Sequence, residues 1–243
     1  MRLLFIRHAD PDYARDSLTP RGDDEALALA DALRDEKIDA VYCSPLGRAK
    51  RTMEVALSKR KDNLPVTILP WLREFDAYTP HPPQSRAWDF LPEDVASYGE
   101  EAYSLSGYET AILPYRDSPD FRQKRDEAFA GLDALLQEHG YEKDGLLYRV
   151  KEGNDHTLAF FCHFGIEALL LSRLVNAPPF VFFQGTCASP SSVTEVYTEE
   201  RRKGIASFRI LHFGETSHLR KKGMEDSFAA RFSETFEDPR RHD

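Results

Sequence analysis

No apolar run in the 243-residue chain is long enough to span a bilayer. Met1 leads straight into a strand-like stretch, without the pattern of a signal peptide. A membrane partner is therefore not expected, and the reading is a cytoplasmic protein. Positive charge is also short: 32 Lys and Arg face 41 Asp and Glu, a formal net charge of −9. Nucleic acid and anionic membrane surfaces both demand clustered cations, so neither is an expected partner. Cysteine is scarce. Cys43, Cys162 and Cys187 are odd in number and far apart, which suits reduced thiols better than a disulfide framework, and none has the spacing of a zinc site or a redox pair. Internal repeats and low-complexity tracts are absent too.

What is there is a succession of short apolar runs with helix signals between them. Residues 3–6 read as a buried strand of a parallel sheet, and residues 11–17 as a polar loop. Thr19-Pro20 is a capping hydroxyl followed by proline at the first helical position; the helix it opens has its apolar face in residues 26–33. Residues 39–43 suit a second strand. Ser44-Pro45 reads as another cap and proline, opening a helix through Arg48, Arg51 and Thr52 to about Leu57. Residues 66–69 make a third strand. Strand, helix, strand, helix, strand argues for a parallel sheet with right-handed crossovers.

From about residue 75 to 120 the character changes. Six prolines fall within 80–120, interleaved with Trp88, Phe90, Tyr98 and Tyr103, and eight acids stand against Arg86 and Arg116. This reads as an acidic insertion in one α/β domain covering residues 1–243, either a packed elaboration or a lid that shapes a pocket. Ser118-Pro119 then starts a long helix that stops at Gly140. Residues 146–150 and 157–161 flank Lys151-Glu-Gly-Asn-Asp155, which is expected to be a hairpin turn. The second of these strands runs into Cys162-His163-Phe164-Gly165, and a helix follows over 166–175. Residues 193–198 and 205–213 make an antiparallel pair. The tail after His218 is charged and carries no fold signal.

Three strand ends thus carry comparable chemistry: Arg7-His8, then Ser44 with Arg48, then His163-Phe164-Gly165. In a parallel sheet these ends share the carboxyl edge, where open α/β folds place ligands. Two histidines, two arginines and two helix N-termini converging there describe a site for a dianion, with an imidazole able to attack phosphorus. Taken singly each has an ordinary explanation: His163 as a core histidine beside Cys162, Arg48 and Arg51 as the solvated face of a helix, Glu74 as one more surface acid. Their joint placement carries the argument.

Arg7-His8, Ser44-Pro-Leu-Gly-Arg48-Ala with Arg51-Thr52, Glu74 in Leu72-Arg73-Glu74, and His163 before Phe164-Gly165 together resemble the histidine phosphatase superfamily, also called phosphoglycerate-mutase-like. Residues 211–219, with Thr216 and His218, look like that family's closing strand and turn. The resemblance implies a three-layer α/β/α sandwich with a mostly parallel mixed central sheet, no cofactor, and a metal-independent phosphomonoesterase of the histidine acid type acting through a phosphohistidine. His8 would be the nucleophile, Arg7, Arg48, His163 and the Phe164 amide would hold phosphoryl oxygens, and Glu74 would protonate the leaving alcohol, with Asp76 as its rival. His163 would belong to the catalytic set as well. The substrate would be a small-molecule phosphate monoester, and a homodimer is left open.

Three positions depart from the family pattern. Ala9 stands where glycine is usual. Ala14, near Asp12 and Asp16, replaces the asparagine of the mutase branch, which weakens a mutase reading. Phe164 takes a position where glycine is common, narrowing the pocket while keeping the amide. The acidic insertion argues against heavily phosphorylated substrates and for a small or aromatic monophosphate. The alternatives are a mutase-type phosphotransferase, a non-catalytic phosphate-binding homologue, and a metal hydrolase built on His8, His163 and His212, which lack ligand-type spacing.

Overall fold

The computed structural model describes residues 1–80 and 86–227. Residues 81–85, within the proposed insertion, and 228–243 of the tail lie outside the described residues. The centre is an eight-stranded mixed sheet. Its strands are β1 (Arg2–Arg7), β2 (Ala40–Cys43), β3 (Val66–Ile68), β4 (Tyr141–Asp144), β5 (Leu147–Val150), β6 (Thr157–Cys162), β7 (Val193–Arg202) and β8 (Ile205–Glu215), in the spatial order β3-β2-β6-β1-β7-β8-β5-β4. From β3 to β1 every pairing is parallel. From β1 to β4 every pairing is antiparallel.

Both faces of β1, β2 and β6 are covered, which is why these strands are largely apolar rather than alternating with polar residues, whereas the edge strand β3 is exposed. Period two then sorts the side chains. Leu3, Phe5 and Phe160 pack on one face with Leu132, Leu136 and Leu169, which come from α3 (Pro119–Glu138) and α4 (Phe164–Val175). Leu4, Ile6, Val41 and Phe161 pack on the other with Leu29, Leu33 and Ala56, from α1 (Pro20–Leu33) and α2 (Gly47–Leu57). Helix, sheet and helix make the three layers that the family resemblance implies. After α4 a short α5 (Pro179–Gly185), which sequence patterning did not indicate, adds Phe180, Phe182 and Phe183 to the first face.

Two local expectations fail. Residues 151–155 do not close a hairpin between β5 and β6. β5 pairs with β4 across Gly145, whose φ of +58° suits glycine, while β6 crosses to the middle of the sheet beside β1 and β2. Burial decides this, since every residue of β6 is buried and only a central position satisfies such a strand. Nor does Ser44 cap α2: the N-cap is Leu46, without a side-chain bond, because the Ser44 hydroxyl is engaged elsewhere.

Between β3 and α3 the chain forms short helical pieces at Pro92–Ser97, Glu100–Tyr103, Tyr108–Ala111 and Leu113–Arg116. Trp88, Phe90, Ile112 and Tyr115 from this stretch join the core. Tyr115 stacks on Phe121 of α3 at 4.0 Å between ring centroids. Its aromatic residues thus anchor the segment to the helical layer. Among the described residues no helix is long and apolar enough to cross a membrane.

Candidate active site

Register brings the strand ends level. Arg7 pairs with Cys162, and Cys43 with Phe161. Residues 8, 44 and 163 therefore leave the sheet side by side, and the rings of His8 and His163 lie 5.0 Å apart.

His8 is fixed on all sides. Its amide donates to the Cys162 carbonyl (2.9 Å), and its own carbonyl accepts from the Ser191 amide (3.1 Å). The next amide, Ala9 N, donates to Thr52 Oγ1 at 3.0 Å, and that hydroxyl donates to the Arg48 carbonyl. Nδ1 of His8 lies 2.9 Å from the Ala9 carbonyl. A carbonyl only accepts, so the proton sits on Nδ1 and Nε2 keeps its lone pair. Burial, then the charges of Arg7 and Arg48, hold the His8 pKa well below the ordinary imidazole range. The ring is neutral and has one nucleophilic nitrogen.

His163, fully buried, is the N-cap of α4. Its Nε2 lies 2.7 Å from Ser44 Oγ, which already accepts from the Leu46 amide at 3.2 Å. Donation of the Ser44 hydroxyl hydrogen to His163 Nε2 satisfies both groups and assigns the imidazole proton to Nδ1. That atom is buried with no partner among the described residues. A donor without an acceptor suits an incoming oxyanion. Burial, His8 and the surrounding arginines depress the His163 pKa strongly, so it too is neutral.

Arg7 reaches back to donate to the Ala188 carbonyl and stands 5.8 Å from the Phe164 ring. Phe164, the first residue of α4, is buried and contributes a flat apolar wall as well as its place at the helix N-terminus. Arg48, in the first turn of α2, is 2.7 Å from Asp16 and 5.4 Å from the Tyr13 ring.

Glu74 follows β3 and points at the start of α4. Its Oε1 accepts from the amides of Phe75 (2.8 Å) and Ile166 (3.1 Å). Burial raises its pKa above the usual carboxylate value, against the pull of those amides and the two arginines. Asp76 is different. Burial pulls it upward, but Lys124 at 2.9 Å and Arg73 at 3.6 Å outweigh that and hold it ionised. Gly165 is required for this crowding: a Cβ there would lie 2.5 Å from the Trp88 ring and 2.8 Å from Glu74 Oε1.

The structure thus gathers Arg7, His8, Arg48, Glu74, His163 and Phe164 at one edge. His212 stands apart on β8, opposite Glu195 and exposed. Among the described residues no cluster of three or more His, Cys, Asp and Glu could hold a metal ion. Sequence reasoning missed Ser44 as the partner of His163, Asp16 as the partner of Arg48, and the turn from Ala188 to Ser192 that holds Arg7 and His8. For that turn a signal existed: Ser189-Pro190-Ser191-Ser192 is a dense run of turn formers just before β7.

Comparison with known proteins agrees with this geometry. Residues 3–101 match the family model of the histidine phosphatase superfamily (branch 1). The chain is 39% identical over 187 residues to the adenosylcobalamin/alpha-ribazole phosphatase of Escherichia coli (strain K12), an alignment covering 73% of this chain and 81% of that protein. Among solved structures, a phosphoserine phosphatase mutant from Entamoeba histolytica in complex with phosphoserine superposes with a TM-score of 0.58 at 16% identity, over 90% of this chain and 98% of that one. The alpha-ribazole phosphatase from Shigella flexneri gives a TM-score of 0.53 at 24% identity, over 89% and 97%. These two likenesses speak to the fold.

Proposed function

The chain belongs to the histidine phosphatase superfamily, and from its site we propose a metal-independent phosphomonoesterase that turns over through a phosphohistidine at His8. The observation that carries this reading is the His8 tautomer. Nδ1–H is committed to the Ala9 carbonyl, so Nε2 is an unprotonated nucleophile in a dry, cationic setting.

Attack of Nε2 on phosphorus forms the N–P bond as the P–O bond to the alcohol breaks. Arg7, Arg48, the His163 Nδ1 proton and the N-terminal end of α4 at Phe164 balance charge on the equatorial oxygens. Glu74, whose pKa burial raises, gives its proton to the departing oxygen. The resulting carboxylate takes a proton from water, whose oxygen attacks the phosphohistidine, breaking the N–P bond and releasing phosphate. Asp76, ionised by Lys124 and Arg73, has no proton to give.

The substrate class is a small aromatic monophosphate. Two features support it: Trp88 lies against Gly165 and the proton donor, and the E. coli relative is named for alpha-ribazole. The excess of acids over residues 80–120 disfavours polyphosphorylated compounds.

Acid-free quenching during turnover, followed by mass spectrometry, is expected to find one phosphate, on His8. A covalent phosphate on another residue, or full activity in a His8→Ala protein, would remove the mechanism. Activity is expected to survive EDTA. A panel of phosphate esters, scored by both phosphate release and isomer formation, tests hydrolysis against mutase chemistry and tests the aromatic preference.

A further inference from the structure

Among the described residues Asp16 is the carboxylate placed directly on the Arg48 guanidinium, and neither composition nor patterning marks it. Its Oδ1 accepts from Arg48 Nη1 at 2.7 Å and its Oδ2 from the Gly47 amide at 2.6 Å. Both donors sit at the N-terminal end of α2, an 11-residue helix whose own N-cap, Leu46, offers no side-chain acceptor. Asp16 therefore caps α2 from a distant loop.

The approach is built into the backbone. Asp16 has φ +46°, in the left-handed region that costs a non-glycine residue free energy. Residue 47 must be glycine, because a Cβ would fall on the Asp16 carbonyl oxygen. Burial pulls the Asp16 pKa upward, but the Gly47 amide and Arg48 outweigh it, and the carboxyl stays ionised.

Arg48 itself is mostly buried, with a side chain 12% exposed against 44% for Asp16. Its Nη1 is taken by Asp16, whereas its Nε is buried with no partner among the described residues. A guanidinium is a rigid planar fork, so fixing one corner fixes the directions of the others. Holding Nη1 fixes the orientation of the unpartnered Nε edge.

We propose that Asp16 is a positioning residue: it clamps Arg48 and the first turn of α2 so that the free Nε edge of the guanidinium meets the phosphoryl group in the transition state. The idea rests on the phosphatase reading above. Its alternative is that Asp16 occupies the anion's own place and must be displaced before substrate binds.

A double-mutant cycle separates these. Asp16→Ala, Arg48→Ala and the double variant are assayed for kcat and KM on p-nitrophenyl phosphate, with thermal melts as the folding control. Asp16→Ala is expected to lower kcat roughly tenfold to a hundredfold, with KM changed less than about threefold. In the Arg48→Ala background the same substitution is expected to have almost no further effect, because the clamp has nothing left to hold. Asp16→Asn, which retains an acceptor, should recover part of the loss, and it takes the place of Asp16→Ala in the cycle if the alanine protein does not fold. Equal losses in both backgrounds would mean a purely structural role and would overturn the proposal. Faster turnover or tighter inhibition by inorganic phosphate in Asp16→Ala would overturn it in favour of the displaced-anion reading. If Arg48→Ala alone kept normal activity, the phosphate site itself would be misplaced, a failure distinct from that of the clamp.

Discussion

The carboxyl edge of the parallel strands and the outer surface of β7 and β8 hold ionisable groups in opposite ways. On β7, Glu199 is bonded to Arg209 and also pairs with Arg201, and the bond to Arg209 leads in lowering its pKa, so that it stays charged. At the carboxyl edge burial dominates: His8 and His163 are pushed well down and Glu74 and Glu167 up, each toward its neutral form. Pairing at a wet surface keeps a group in the state it has in water. Burial beside few partners selects the state that water disfavours, a free imidazole lone pair or a carboxylic proton, and phosphoryl transfer needs both. The boundary is sharp, for Glu74 falls on one side of it and Asp76, two residues on, falls on the other.

The sharpest break between the regions should come from His8→Ala, with an expected loss of at least about a thousandfold in kcat, since no other group supplies the nucleophile. Arg201→Ala, on the paired surface, should change kcat/KM by less than about twofold. Steady-state assays of the two proteins side by side make the test.

Glu74→Gln comes next. On alkyl phosphates kcat should fall by roughly 10²–10³, the range for loss of a general acid. The loss should be much smaller on p-nitrophenyl phosphate, whose leaving group departs without a proton. Wild-type kcat should also fall as pH rises through the elevated pKa of Glu74, and fall in acid only well below pH 6.5, where His8 finally protonates. Comparable losses on both esters would remove Glu74 as the donor.

Stability offers a third test, through Glu167, whose carboxyl is buried beside Thr194 and is raised by burial from 4.5 to about 7. In the native state it keeps a proton that the unfolded chain loses above pH 4.5, so its ionisation costs stability progressively between pH 4.5 and 7. Glu167→Gln should therefore match wild type at pH 4.5 and exceed it at pH 8, by on the order of 2 kcal/mol. Urea denaturation at the two pH values reads this directly. A variant less stable at pH 8 would show that the carboxylate is paired.

The smallest effect should be that of Asp76→Asn, within about threefold in kcat on either ester, because it removes only partly exposed ion pairs with Lys124 and Arg73. A loss as large as that of Glu74→Gln would exchange the two roles.

Much of this was legible from local chemistry. Thr19 caps α1 as its sequence indicates, accepting from the Gly22 amide at 3.0 Å. The apolar runs became β1, β2 and β6 because burial on both faces leaves no other place for such stretches. Arg7-His8, Arg48 and His163 were readable as well, since each lies at a strand end or opens a helix, whereas Glu74, six residues beyond β3, was marked only by the family resemblance. Ser44 misled, because a hydroxyl before proline has two uses, capping and partnering a histidine, and the histidine lies 119 residues away.

The sequence by itself determined the main strands and helices and the reactive side chains at the strand ends, because strand period, cap residues and strand-end chemistry are properties of neighbours along the chain. Only the tertiary structure decided protonation and aim. The proton on His8 Nδ1 depends on where the Ala9 carbonyl turns, the difference between Glu74 and Asp76 depends on Lys124 from α3, and the hold on Arg48 depends on Asp16 in a loop 32 residues earlier. Desolvation and hydrogen-bond direction are set by groups converging in space, and no local pattern encodes them.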